Sequence, residues 1–338
     1  RALPPAEAAA ARRLAWWLVA LALLAMVAWA RVAGRTLWTF FLPGVFGATD
    51  AGGGTDVAYL FLAIEWFMPA FMVLIAAGAM RSRWRALAVL VLVSIVYVSI
   101  GFRYRLVVLW LAAAMLVYLR AGKRPALATL LPGTAVAFAV VGWVGWARIY
   151  FRSAGAVGGL TTDRRRILLG ALSDTRIFET FTAVLGLVPN YVRFAHFRPL
   201  LYIFILPFPR FLWHGKPMPT WLDDVRTSIG TPYSEFAGAA VPHFGEYYIA
   251  FGWPGMVIGS LLFGMAVKLL WRWYRADPGD PWRQAIFALN TAFLFVAIIR
   301  GYAAQIVQEW CFIVLPAIVL VWLARRSGRL YAAAQAHA

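Results

Sequence analysis

Residues Val241 to Gly264 read VPHFGEYYIAFGWPGMVIGSLLFG, and after Glu246 no charged side chain follows until Lys268. An uninterrupted apolar run of this kind matches the roughly 20 residues that an α-helix needs to cross a hydrocarbon core of about 30 Å. A transmembrane helix over about 244–271 is therefore expected. Pro242 suits a first helical position, where its missing N–H is not needed. A glutamate in the first turn favours the positive end of the helix dipole, so Glu246 has a structural reason to be there. His243 and Glu246 lie three residues apart and so share one face at the outer mouth of the span. Either could take a proton from a sugar hydroxyl; either could equally serve only to cap the helix.

The rest of the chain extends this reading. Of its 338 residues 63% are hydrophobic and 14% charged, with a mean hydropathy of +0.73, too apolar for a domain with a solvated surface. The apolar runs are continuous rather than alternating, which excludes a closed β-barrel. Further spans are expected at about 14–32, 57–79, 86–102, 105–119, 126–149, 284–300 and 306–324, making eight, with 177–213 left open. Leu14 to Ala30 follows Arg12 and Arg13 and reads as an anchor, since it is long for a signal peptide and precedes more spans. The chain begins at Arg1 rather than methionine, so eight is a minimum. The expected fold class is all-α: one polytopic membrane domain over 1–338.

The net charge of +18 would point to nucleic acid in a soluble protein, but in a membrane protein it sorts by side, and no nucleic-acid partner is expected. Arg12 and Arg13, the loop of Arg81, Arg83 and Arg85, the loop of Arg120, Lys123 and Arg124, the loop of Arg272, Arg275 and Arg283, and the tail of Arg325, Arg326 and Arg329 all fall on one face when eight spans are threaded. By the positive-inside rule that face is cytoplasmic. The single cysteine, Cys311, reports nothing about redox compartment.

The same threading leaves 150–243 outside as a large periplasmic segment, although it carries ten basic residues, among them Arg152, Arg164, Arg165, Arg166, Arg176, Arg210, Lys216 and Arg226. Long loops translocate regardless of charge, so the topology stands. Within the segment, ILLGALSDTRIFETFTAVLGLV has helical spacing suited to an interface, and PLLYIFILPF is too short to span. The stretch PFPRFLWHGKPMP, 207–219, then holds Arg210, His214 and Lys216 between four prolines at the outer membrane surface. Guanidinium binds phosphate oxygens bidentately and keeps its proton, so fixed outer arginines suit a phosphate-bearing lipid. The plainer reading is contact with anionic headgroups. Arg103 and Arg105 in GFRYR, and Arg300 in RGYAAQ ahead of Gln305, Gln308 and Glu309, occupy two other outer turns. Glu65, in LAIEWFMPAF, is deep enough to need a partner that the sequence does not name.

No P-loop, HExxH, CxxC or GxSxG context occurs, and no carboxylate pair resembles a metal-dependent nucleotide-sugar site. Neither metal nor cofactor is expected, and the energy for synthesis must come from the donor. PRFLWHGKP, followed about thirty residues later by GEYYIAFGWPGMVIGSLLFG, with GFRYR before and RGYAAQ after, resembles the Wzy-type oligosaccharide repeat-unit polymerases of O-antigen, capsule and exopolysaccharide pathways. The resemblance covers roughly 85–325. It implies a GT-C-like membrane glycosyltransferase of the bacterial inner membrane with a periplasmic active site. The growing glycan on undecaprenyl pyrophosphate would be the donor, and a lipid-linked repeat unit the acceptor. Membrane lipids and a chain-length regulator join the expected partners. The family's basic residues carry over onto Arg103, Arg176, Arg210, Lys216 and Arg300 as diphosphate clamps and leaving-group stabilisers, and its glutamate onto Glu246; the histidine at His243 departs from the family pattern. Two alternatives are a ligase that hands the glycan to the lipid A core and a lipid-linked oligosaccharide transporter. A transporter would set charges along a central path, whereas these gather on one face.

Overall fold

A computed structural model describes residues 3–41, 58–80, 82–100, 103–122, 177–210, 212–221, 224–225 and 241–336, with isolated positions between 126 and 139. The protein is all-helical among these residues, and six helices are long and apolar enough to cross a membrane. The helices are α1 (Pro5–Val32), α2 (Tyr59–Ala76), α3 (Arg83–Ile100), α4 (Arg103–Ala121), α5 (Ile177–Leu187), α6 (Arg198–Ile205), α7 (His243–Arg275), α8 (Pro281–Ile299), α9 (Ala303–Ile313) and α10 (Leu315–Ala336). In α3 the apolar part, Trp84–Ser99, is shorter than a full span. The run expected at 306–324 belongs to α9 and α10, which together make one apolar stretch, Ala303–Leu330. Of the ambiguous 177–213, two short helices form, α5 and α6. Most of the span expected at 126–149, and the arginines 152, 164, 165, 166, 176 and 226, lie outside the described residues, as does the side chain of Arg103.

Two compact units emerge. The first comprises 1–170, 273–293 and 310–338; the second comprises 171–272 and 294–309. In the first, α1 begins with Pro5 at its first position and Glu7 in its first turn, and buries a stripe of Ala8, Ala11, Ala15, Leu18, Ala22, Ala25 and Trp29. Those three- and four-residue steps put small side chains on one face, which lets a neighbouring backbone come close without a hydrophobic drive from water. The approach to α10 uses a glycine: a Cβ at Gly328 would lie 3.1 Å from that of Glu7. Large exposed side chains such as Trp16, Trp17 and Leu24 stand on the outside of α1, where bilayer lipid rather than water is their natural contact.

Ion pairs hold charge among the described residues of this unit. The Glu65 side chain is fully buried, and Arg105 supplies the partner that the sequence left unnamed, its Nε donating to Oε1 at 2.7 Å. The Tyr97 hydroxyl donates to the Glu65 carbonyl at 3.1 Å, and the Arg105 guanidinium sits 5.3 and 5.1 Å from the rings of Phe61 and Tyr104. At one end of the unit, Arg325 pairs with Asp280 and lies near Glu7, while the Trp282 indole N–H donates to Glu7. Arg12 and Arg120 line one cavity there with Gly279 and Pro281, and Arg120 donates to the last carbonyls of α2, Ile75 and Ala76, at 2.9 Å each. Basic clusters far apart in sequence thus share one end of the first unit.

Candidate functional site

The continuous span expected over 244–271 proves broken. Phe251 has φ −141 and ψ 16, and Gly252 has φ 66 and ψ −152, a conformation open to glycine alone. Two residues on, Pro254 has no N–H to offer the Ala250 carbonyl, which a helix would otherwise bond. The segment before α6 fills the gap: Ala195 N–H donates to Ile249 O and His196 N–H to Ala250 O, both at 2.9 Å. Phe194 packs over the break, 3.2 Å from where a Cβ on Gly252 would stand. The part beyond the break, 253–275, still has the roughly 20 residues that a hydrocarbon core needs. His243 to Ala250 therefore form a short outer helix with its own fixed orientation.

That outer helix is clasped to the turn between α8 and α9. Gly301 N–H donates to Val241 O, Ala303 N–H donates to Glu246 Oε2 at 2.6 Å, and His243 Nδ1 lies 3.2 Å from Ile298 O. A Cβ at Gly301 would collide with the Pro242 carbonyl, so the close approach needs a glycine. Glu246 is buried and does cap a helix N-terminus, but it is that of α9 rather than its own. Because a carbonyl can only accept, Nδ1 of His243 carries the hydrogen, and Nε2 is left with a lone pair. The imidazole is half buried among Phe244, Tyr247 and Phe263, whose ring centroids lie 5.4, 5.6 and 4.7 Å from its own. Arg300 stands between the bonded residues 298 and 301, so the clasp fixes its backbone beside His243.

The proline-fenced loop is the other part of the site. Lys216 is buried to 9% exposure, and its Nζ donates to Leu206 O at 2.8 Å and Phe208 O at 2.9 Å. Burial first, and then the like charge of Arg210, pull its ammonium below the usual lysine range. The Arg210 guanidinium donates to the sulfur of Met218, a weak acceptor. His214 is exposed.

Aromatic side chains fill the interior between these parts. Tyr202, Trp221 and Tyr302 pack ring to ring, with centroids 5.5 Å apart for Tyr202 and Trp221 and 6.3 Å for each of the other pairs. The Tyr202 hydroxyl donates to Pro217 O at 3.2 Å, and the Trp221 indole N–H is directed at Glu246 without closing to a well-formed hydrogen bond. They share a core with Val241, Tyr248, Ile249 and Ala304.

His243, Glu246, Arg210, Lys216 and Arg300 all belong to the second unit, whereas Arg103 belongs to the first. Glu309 accepts from Gln305 Nε2 at 2.8 Å. Sequence reasoning passed over Trp221, Tyr202 and Tyr302, although Tyr302 lies inside the quoted RGYAAQ. What pointed to them was their position beside charged motifs, at PTW and RGY. No family model, curated protein or solved structure matches this chain, and the reading of its function rests on the chemistry of these residues.

Proposed function

We propose that this protein is a polyprenyl-diphosphate-dependent glycosyltransferase of the inner membrane, with at least eight spans and a GT-C-like fold. It polymerises undecaprenyl-pyrophosphate-linked repeat units at the periplasmic face. The observation that carries this reading is the composition of the second unit. It combines a histidine whose Nδ1 is committed to a carbonyl, leaving Nε2 as the basic nitrogen, with Arg210, whose guanidinium donates to the thioether of Met218. The resemblance of the PRFLWHGKP and GEYYIAFGWPG stretches to repeat-unit polymerases adds the substrate class.

In the proposed step, the hydroxyl oxygen of the incoming repeat unit forms a bond to the anomeric carbon of the growing glycan. The bond from that carbon to the diphosphate oxygen breaks, and undecaprenyl pyrophosphate leaves with the electron pair. His243 Nε2 takes the hydroxyl proton. Arg210 and Arg300 face the negative charge that develops on the leaving diphosphate, a preorganised electrostatic role, and the resemblance implies a diphosphate role for Arg103 and Arg176 as well. Glu246 holds the clasp that places His243 and Arg300. No step calls for a metal ion.

The test is reconstitution: the purified protein in vesicles with a defined lipid-linked repeat unit, with and without chelator. The expected product is a ladder of glycans that persists in excess EDTA. Absence of any glycan transfer overturns the reading, restoration of lost activity by a divalent ion overturns the arginine mechanism, and transfer only to a lipid A core acceptor makes the protein a ligase.

A further inference from the structure

Arg210 and Lys216 stand in one loop but are held by it in opposite ways. Pro207, Pro209, Pro217 and Pro219 have no N–H, so four positions of the stretch lack a backbone donor and can only accept. The backbone supplies a few turn bonds, among them Trp213 N–H to Pro209 O and Lys216 N–H to Trp213 O, both at 3.1 Å. The bonds across the mouth of the loop come from side chains. The Lys216 ammonium reaches back to Leu206 O and Phe208 O, where α6 gives way to the loop, and Tyr202 reaches forward to Pro217 O. An ammonium has three donors. Two are used on these carbonyls, and the charge lies 5.9 Å from the centre of the Tyr202 ring. Arg210, by contrast, carries five N–H donors, and the contact it makes with Met218 uses a weak acceptor.

We infer that Lys216 is a positioning residue: it closes the 206–217 loop and so aims Arg210, instead of meeting the diphosphate as a second cation. The loop is of the compact kind whose ends are pinned together by its own side chains, and here one buried lysine does most of the pinning. This deepens the diphosphate reading and rests on it.

Hydrogen exchange and ligand binding separate the possibilities, measured on the purified full chain with farnesyl diphosphate as a short polyprenyl diphosphate probe. In Lys216→Met the amides of the 206–217 peptide should exchange about tenfold faster or more, and probe binding should weaken on the order of tenfold. Lys216→Arg, which keeps charge and donors, should recover part of both. Arg210→Gln should weaken binding by a similar factor with exchange unchanged. Should Lys216→Met fail to insert, Lys216→Gln takes its place, keeping one amide to donate. Loss of binding in the lysine variants without faster exchange would show Lys216 touching the anion and overturn the inference. Unchanged exchange together with unchanged binding would overturn it as well, as would faster exchange with binding intact. If the parent protein does not bind the probe, the diphosphate reading falls, while the exchange rates still decide whether Lys216 closes the loop.

Discussion

The two units of the molecule treat charge differently. In the first, two cations meet carboxylates, Arg105 the fully buried Glu65 and Arg325 Asp280 near Glu7, while Arg120 rests on the carbonyls of Ile75 and Ala76. In the second, Lys216 rests on two carbonyls, Arg210 on a thioether and His243 on a carbonyl, while the buried carboxylate of Glu246 takes a backbone N–H. An ion pair cancels its own field and holds structure together. A charge fixed by neutral dipoles is equally well placed, yet it still attracts an ion from outside. By that criterion Arg105 and Arg325 are architectural, and Arg210 is available to a ligand.

The comparison breaks most readily at Glu65. Replacing it with alanine leaves Arg105 charged in a site where it is 2% exposed, and removing one partner of a buried pair costs about 3–5 kcal/mol. Glu65→Ala should therefore lose most of its folded protein on size-exclusion chromatography in detergent, and Glu65→Leu with Arg105→Met should recover much of it. A single variant as heat-stable as the parent would remove the architectural reading.

Arg210 should behave in the opposite manner. Arg210→Ala is expected to lower turnover by about 10²–10³, the scale for one transition-state stabiliser, with melting temperature unchanged. Arg210→Lys, which keeps charge but not the fork, should still lose on the order of tenfold. Normal polymer from Arg210→Ala at matched expression would leave the loop as a headgroup anchor. For His243 the sharper variant is His243→Asn, whose amide can still donate toward Ile298 O but has no basic nitrogen. A loss of about 10²-fold with the fold intact is expected from general-base catalysis; a drop in stability with little effect on rate would assign His243 to the clasp alone. The smallest effect belongs to the exposed His214: His214→Ala should keep most of its activity in the same assay.

Much of the fold was readable because a membrane imposes length: α1, α7 and α8 lie close to where apolar runs of about 20 residues place them. The break in α7 was written in FGWPG, since Gly252 and Pro254 together both permit and require it, but hydropathy averages over it. The partners were not readable at all. Glu65 meets Arg105 forty residues later, and Glu246 meets Ala303 fifty-seven residues later. Periodicity carries information over a few turns of helix, whereas such bonds depend on how helices come together. For the same reason the loop's cations looked alike in sequence, and only the carbonyls of Leu206 and Phe208 tell Lys216 from Arg210.

The break at Phe251 and Gly252 also has a mechanical meaning. A membrane helix answers changes in bilayer thickness by tilting, at a cost of fractions of a kcal/mol per Å. An unbroken helix would set His243 about 30 Å from Phe263, twenty residues on. Here the chain folds back at the glycine, and the His243 ring packs against Phe263 of the long section, 253–275, while its own short helix is moored to residues 195–196 and to the turn at 298–303. A tilt of the long section therefore reaches His243 through Phe263, and turnover should fall as vesicle acyl-chain length departs from the native thickness. Level turnover across acyl-chain lengths would show that the moorings alone set the aim of His243.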